Sequence, residues 1–399
     1  MITDITGEDV YTRSSEEAAS GILLAVLTIV FWASLYLYVP ILPSYTQFIG
    51  GSLTIVGIVT GSYGFTQLIL RIPTGIWSDR LGLRKPFVVA GFVAATGSAV
   101  GLALSRTPYL LVVFRAFSGV AATTWVAFTI LFSSYFNPRE ATHAMSTIVF
   151  CNSLGQTLAT FIGGLIAERY GWLAPFLGAA MLGGFGTLCS LALKEKRKVS
   201  GEALSIAHLM QVGKDTRLLY VSFLGALTQY VTFATVYGFT PLYASRIGAS
   251  KAELGILSLV TLVPYTVASL IGGTWLARYM EEGKIAAIGS LVAGLTTIII
   301  PVIETLPFLY ISQAIGGFGR GLVYPVLMGL SIQAVEPDRR ATAMGFFQSI
   351  YSLGMFLGPT ISGAIGENIG LPGVFITASG ICFLAAVLSN LRYTRPTVC

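Results

Sequence analysis

Three arginines lie inside apolar segments of a chain that is otherwise poor in charge: Arg71, Arg115 and Arg320. A guanidinium in the hydrocarbon core of a bilayer costs at least about 2.5–3.5 kcal/mol, so each needs a polar partner or a water-filled cavity. All 18 acidic residues fall in predicted tails, turns or helix ends, so no carboxylate is available beside these arginines. The chemistry that remains is hydrogen bonding to carbonyls, hydroxyls, amides or water, or the binding of an anionic ligand.

Aromatic and amide side chains in other apolar segments can complete a binding site around these arginines. We predict that the ligand contacts Arg115, Arg320, Trp32, Tyr36, Asn152, Gln229, Tyr230 and Tyr324. Further candidates, of which about half are expected to face a cavity, are Tyr38, Trp125, Gln156, Tyr237 and Gln348. For Arg71, which lies about 12 Å of helix before a polar turn, a structural role bonded to carbonyls is an equal alternative.

The composition excludes an ordinary soluble domain. Of 399 residues, 54% are hydrophobic and only 11% are charged, with a mean hydropathy of +0.77, whereas soluble domains carry about 25% charged residues. The four cysteines have no metal-ligand spacing, so we expect no zinc site, disulfide framework or cofactor. The two histidines, His143 and His208, lie near one face, which argues against an enzyme. The net charge of +6 reflects the loops and does not indicate nucleic-acid binding.

Twelve apolar segments have the length of about 20 residues that a transmembrane helix needs. They cover 21–47, 53–77, 86–105, 108–135, 140–167, 172–193, 217–245, 252–277, 284–304, 307–334, 340–367 and 372–392. Seventeen basic residues fall in the tails and even-numbered turns, against four in the odd-numbered turns. Because cytoplasmic loops carry the excess of Lys and Arg, both termini are predicted to be cytoplasmic, in a multi-pass protein of the cell membrane.

The two halves of the chain are copies of one unit. At an offset of 198 residues Pro43 matches Pro241 and Gly50 matches Gly248, and at an offset of 199 Gly164 matches Gly363. We therefore predict an all-α membrane protein with twelve transmembrane helices in two pseudo-symmetric six-helix halves. Its parts are a cytoplasmic tail over 1–20, the first half over 21–193, a linker over 194–216, and the second half with a short tail over 217–399.

A polar turn after the second apolar segment carries glycines, one acid and several bases. Its residues are Gly75, Asp79, Arg80, Gly82, Arg84 and Lys85. It resembles the loop signature of the major facilitator superfamily, with Leu83 at a position where a base is usual. In the second copy Ala277 replaces Asp79. We predict that Asp79 faces the start of the eleventh helix and pairs with Arg339 or Arg340, as a gate that closes the cytoplasmic side.

The resemblance implies a secondary transporter that works by alternating access, with its substrate between the halves. Arg115 and Gly119 match a helix-four pattern of this family, which favours Arg115 as a ligand contact. The antiport pattern of the fifth helix lacks its Gly-Pro pair here, and a fuller version lies around Gly358 and Pro359 of the eleventh helix.

We expect a small organic substrate, anionic or amphiphilic, and export by antiport. Uptake or exchange of an organic anion, and a non-transporting receptor or scaffold, are the alternatives. The expected partners are the substrate, the lipid bilayer and, if transport is coupled, a proton; a monomer is expected.

Overall fold

The computed structural model describes residues 15–137, 140–195, 214–333, 335 and 340–393, which are almost entirely helical. The long helices are α1 (Ser15–Tyr36), α2 (Leu53–Leu81), α3 (Lys85–Leu104), α4 (Pro108–Ser134), α5 (Ala141–Tyr170), α6 (Ala174–Ser190), α7 (Thr216–Arg246), α8 (Lys251–Thr274), α9 (Glu282–Ile298), α10 (Leu306–Gln333), α11 (340–369) and α12 (371–393). Of the predicted linker, 196–213 lies outside the described residues, as do 1–14 and 394–399 of the predicted tails.

The number of membrane crossings follows from these helices. Ten apolar helical stretches in the described part of the chain are long enough to span a bilayer. The last of them contains a non-helical residue, Gly370, with φ 81° and ψ 171°, so it supplies two crossings, α11 and α12. The apolar helix α6, with 17 residues, is a shorter twelfth crossing. The predicted fold class, twelve helices in two halves, is thereby confirmed.

The first predicted span, 21–47, is not one helix. The chain leaves the α-helix after Tyr36, runs through a turn over 37–41, and forms a short helix over Leu42–Phe48. The same place in the second half is also irregular, because Thr235–Phe239 is a π-helix inside α7, followed by a helical tip over Thr240–Arg246. These irregular segments are 198 residues apart, so the duplication extends to the interruption of the first helix in each half.

Turn glycines repeat in the same way at one end of the bundle. Gly50 and Gly248 have φ of 92° and 97°, and Gly171 and Gly370 have φ of 87° and 81°. An L-residue with a side chain rarely adopts such backbone angles. The end of the bundle that carries these four glycines is called the distal end, and the end that carries the turn around Gly82 is called the basic end.

We expect Gly171→Ala to lower the free energy of unfolding by about 1–3 kcal/mol, because its φ of 87° and ψ of 178° lie in a region that is almost restricted to glycine. A Cβ at this position meets no atom within 4 Å, so the loss isolates backbone strain from crowding. Unfolding by SDS titration of the purified protein in mixed micelles measures it. Gly184→Ala, inside α6 and equally free of neighbours, is the control. Equal stability of the two variants would contradict the backbone argument.

The halves pack tightly against each other near the distal end. A Cβ on Gly57 of α2 would lie 2.2 Å from the Pro359 carbonyl oxygen of α11, and a Cβ on Gly255 of α8 would lie 2.7 Å from the Phe161 carbonyl oxygen of α5. Such contacts require glycine, as small residues do at close helix interfaces in membranes. Near the basic end a Cβ on Gly75 or on Gly345 meets no atom within 4 Å. The halves therefore touch at the distal end, whereas no atom of the described residues crowds these two glycines.

Candidate functional site

One face of α2 carries a polar ladder toward the other half. Tyr63, Gln67 and Arg71 follow at four-residue spacing, which sets them about 6 Å apart along one side of the helix. Arg71 donates through Nη2 to Gln67 Oε1 at 2.5 Å and through Nη1 to the Tyr351 hydroxyl at 2.7 Å. Because Tyr351 belongs to α11, this last hydrogen bond joins the two halves inside the bundle, where Arg71 is only 5% exposed.

Arg115 lies against the ring of Tyr63. It is 2% exposed, and its guanidinium carbon is 4.4 Å from the centroid of the Tyr63 ring. Nη1 lies 3.3 Å from the hydroxyl oxygens of Tyr38 and Ser118. The Nε atoms of Arg115 and Arg71 are buried and have no hydrogen-bond partner. Each guanidinium therefore keeps an unused donor in a place where water is scarce.

Aromatic rings connect these arginines across the halves. The Tyr36 ring of α1 lies 5.8 Å from the Tyr237 ring of α7, and Phe233, one turn earlier, lies 6.0 Å from Tyr63. In the second half the Tyr324 and Tyr351 rings are 5.9 Å apart. The residues that surround the two arginines are called the central cluster: Tyr36, Tyr63, Arg71, Arg115, Tyr237, Tyr324 and Tyr351. The cluster draws on both halves and offers guanidinium donors between tyrosine rings.

The predicted contacts that lie in or beside the central cluster are Arg115, Tyr36, Tyr324 and Trp32. Trp32 packs against Tyr36 at 5.8 Å, and its buried Nε1 has no hydrogen-bond partner. The structure surrounds Arg115 with the rings of Tyr38 and Tyr63, and its predicted contact with a ligand stays a prediction.

Arg320 makes its hydrogen bond inside the second half, although Tyr237 of the central cluster lies within electrostatic range of it. It is 3% exposed, donates through Nη2 to Gln313 Oε1 at 3.3 Å, and lines a small cavity with Ser290 of α9 and Cys382 of α12. All of these residues belong to the second half. The structure therefore holds Arg320 inside that half, and its predicted contact with a ligand stays a prediction.

The remaining predicted contacts have local partners. The Tyr230 hydroxyl is 3.5 Å from the Ser362 hydroxyl of α11. The Asn152 side-chain oxygen accepts from Gln156 one turn later on α5, and Gln229 is half-buried on α7. Their part in binding also stays a prediction.

Three residues of the site were missed on the sequence: Tyr63, Gln67 and Tyr351. The first two had a usable signal, because they precede Arg71 by eight and four residues and must share its helix face. Tyr351 had none, since its contact with Arg71 joins helices 280 positions apart.

Negative charge is absent from the buried part of the described structure. The buried polar side chains include the guanidinium groups of Arg71, Arg115 and Arg320, but no Asp or Glu of the described residues. A site that neutralised an amine would need a carboxylate near its ligand. The central cluster instead has the sign and the free donors that suit an anion.

At the basic end, Asp79 has a partner within its own turn. Arg84 donates through Nη2 to Asp79 Oδ1 and through Nη1 to Ser78 Oγ, each at 2.5 Å. Gly82 ends α2 with φ 63°, which a glycine adopts without strain. Of the other predicted gating residues, Gly75 is buried and Arg80 exposed.

The predicted partners of Asp79 cannot be placed against it. Arg339 lies outside the described residues, and Arg340 begins α11 with a side chain outside them. A gate between Asp79 and either of these residues stays a prediction.

The polar turn is also fixed by the chain that follows α6. The Glu195 carboxylate accepts from the backbone N–H groups of Arg84 and Lys85 at 2.6 and 2.8 Å, at the start of α3. The Tyr135 hydroxyl donates to the Lys194 carbonyl at 2.7 Å. Burial, with the nearby charge of Glu195, raises the pKa of Tyr135 to about 12, so this hydroxyl stays protonated and able to donate at neutral pH.

Comparison with known proteins agrees with this architecture. The sequence profile of the Major Facilitator Superfamily matches residues 24–246 and 221–398. The human chromaffin granule amine transporter is 27% identical over 88% of this chain and 67% of its own length. The bacillibactin exporter of Bacillus subtilis is 22% identical over 83% of this chain and 85% of its own length.

A solved structure shares the fold across almost the whole chain. A bacterial homologue of the human lysosomal transporter Spinster, inward-facing and unoccupied, superposes with a TM-score of 0.78 at 15% identity, over 95% of this chain and 97% of that one. The profile match, the duplicated six-helix halves and the buried site that both halves build lead to one conclusion: the chain belongs to the major facilitator superfamily and is a secondary transporter.

Proposed function

We propose that the protein carries an amphiphilic organic anion, with the anionic group bound by Arg115 and Arg71 and the apolar part held among the tyrosines of the central cluster. The observation that carries the proposal is the pair of buried guanidinium groups, each with an Nε donor that has no partner. A carboxylate or phosphate oxygen is the acceptor that such donors bind most strongly.

The hydrogen bond between Arg71 and Tyr351 can couple substrate binding to the contact between the two halves. It is 2.7 Å long and joins α2 to α11. An anion that takes the Arg71 donor replaces a neutral hydroxyl acceptor with a charged one, which makes a stronger hydrogen bond. Binding would then loosen one tie between the halves, and the free energy of binding would be available for the change of conformation.

We further propose that both termini are cytoplasmic, because basic residues are concentrated at the basic end. The state in the structure, in contact at the distal end, would then be inward-facing. Export is the direction that we favour, since one relative is a bacillibactin exporter. The relatives do not decide the charge of the substrate, because another is an amine transporter; the anion is favoured by the absence of buried carboxylates among the described residues.

A matched set of small molecules tests the charge of the substrate. 3-Phenylpropionate, 3-phenylpropanamide and 3-phenylpropylamine share their apolar part and differ in charge. We expect the carboxylate to raise the Tm of the purified protein in detergent, since a ligand that binds only the folded state stabilises it. The amide should have a smaller effect and the amine none. If the amine raises the Tm and the carboxylate does not, the site binds cations and the proposal is wrong.

A further inference from the structure

Two glutamates join the halves at the distal end. Glu168, near the end of α5, accepts through Oε2 from the backbone N–H of Lys251 at 2.9 Å, at the start of α8. Glu367, near the end of α11, accepts through Oε2 from the backbone N–H of Thr54 at 3.3 Å, at the start of α2. In each case the carboxylate belongs to one half and the helix N-terminus to the other.

These contacts are related by the duplication. Glu168 and Glu367 are 199 residues apart, and each lies three residues before a turn glycine of positive φ, Gly171 or Gly370. The first N–H groups of a helix have no partner inside it, and its N-terminus carries partial positive charge. A carboxylate supplied by the other half satisfies both needs. The same electrostatic contact is therefore built twice, once on each edge of the interface between the halves.

We propose that Glu168 and Glu367 are a symmetric pair of gating residues that hold the distal end shut. Each caps the first turn of a helix in the other half, and both contacts must break before the halves can separate there. The halves pack closely at both contacts, because a Cβ on Gly164 would lie 2.6 Å from the Lys251 carbonyl oxygen and a Cβ on Gly363 would lie 2.7 Å from the Leu53 carbonyl oxygen. The inference rests on alternating access and not on the identity of the substrate.

The two edges are not equally strong. At the edge formed by α5 and α8, Lys251 makes a second contact across the interface, with its Nζ 4.5 Å from the centroid of the Trp172 ring. At the edge formed by α2 and α11 the residue that corresponds to Lys251 is Leu53, which packs in an apolar cluster with Leu371. Because the Glu168 hydrogen bond is the shorter of the two, loss of Glu168 should open the distal end more than loss of Glu367. The cation–π contact of Lys251 with Trp172 remains in the Glu168 variant and still holds that edge in part.

Double electron–electron resonance, which measures the distance between two spin labels, tests the proposal without a substrate. Spin labels replace Leu104 and Val302, exposed residues of the distal end that are 198 positions apart and lie in different halves, in a cysteine-free background in nanodiscs. We expect Glu168→Ala and Glu367→Ala each to raise the ratio of distal-open to distal-closed protein about two- to fivefold, the size of one exposed carboxylate–helix contact. In the double variant the two factors should multiply.

Glu253→Ala is the matched control. Glu253 accepts from the Ser250 N–H at 2.8 Å and caps the same helix, α8, from within its own half. The control should leave the distance distribution unchanged. If either alanine variant fails to fold, Glu168→Gln and Glu367→Gln, which keep the size and one acceptor but lose the charge, should raise the open fraction less. Variants that give the same distribution as Glu253→Ala would overturn the proposal. If the glutamate variants change the distances but no anion raises the Tm, the proposal of a glutamate gate stands and only the proposed substrate is refuted.

Discussion

In the Arg115→Ala variant, 3-phenylpropionate is expected to lose at least about 30-fold in affinity, since removing one partner of a buried, hydrogen-bonded charge pair costs about 2–5 kcal/mol. The guanidinium lies over the Tyr63 ring and has an unused Nε. Alanine therefore removes the donor for the ligand and leaves no protein carboxylate without its partner. Isothermal titration of the purified variant in detergent measures the loss. Arg115→Lys should recover part of the affinity, because it keeps the charge but not the planar set of donors.

Arg320→Ala is the control for the Arg115 variant. Both arginines are buried in the membrane part of the protein, at 2% and 3% exposure, so both substitutions remove an equally buried charge. Arg320 makes its hydrogen bond inside the second half and lies within electrostatic range of Tyr237 of the central cluster, so its loss should weaken carboxylate binding by much less than loss of Arg115. If Arg320→Ala abolishes binding and Arg115→Ala does not, the binding centre lies in the second half.

Gly57→Ala is expected to drive the protein out of the conformation with the distal end closed. The new Cβ would lie 2.2 Å from the Pro359 carbonyl oxygen. Since a Cβ and a backbone oxygen do not move with side-chain torsions, only a shift of one helix can relieve this contact. Crowding of this kind typically costs about 1–3 kcal/mol, and the cost disappears when α2 and α11 separate. The distance distribution between labels at Leu104 and Val302 should therefore shift to longer values, and transport into proteoliposomes should fall.

Two further glycine variants give this experiment its controls. Gly255→Ala places a Cβ 2.7 Å from the Phe161 carbonyl oxygen on the other edge of the interface, so it should act in the same direction. Gly345→Ala, on α11 with no atom within 4 Å of its Cβ, should leave the distances as they are. Loss of transport in all three variants, with unchanged distances, would mean that the glycines support folding and not the gate.

The architecture was largely predictable from the sequence. Twelve apolar segments, and glycine and proline pairs at offsets of 198 and 199, require two similar six-helix halves. The matched positive φ angles of Gly50 and Gly248 confirm the duplication in the backbone itself. The end of α1 at Tyr36 was not predicted, because residues 37–41 are apolar and the span was drawn from hydropathy. The usable signal was Pro40, which lacks the N–H that a continued helix would bond to the Tyr36 carbonyl.

The site was only partly predictable. Placing an arginine in the hydrocarbon core costs free energy unless it has a polar partner, so the sequence alone identified Arg115 as a candidate site residue. Its partners could not be derived, because contacts such as that between Arg71 and Tyr351 depend on which helix faces which and on how far the halves are rotated. For the same reason the surroundings of Arg320, which lines a small cavity with residues of α7, α9 and α12, could not be derived, and its contact with a ligand stays a prediction.

The interruption of the first helix in each half has a mechanical meaning. A turn over 37–41 and a π-helix over Thr235–Phe239 divide each helix into a long shaft and a short tip, and such irregular segments often serve as hinges. The two tips are tied together, since the Ser44 and Ser245 hydroxyls are 2.8 Å apart. We infer that the two tips together cover the distal side of the central cluster and bend at the two irregular segments. Because Ser44 and Ser245 belong to different halves, this contact must also break when the halves separate at the distal end.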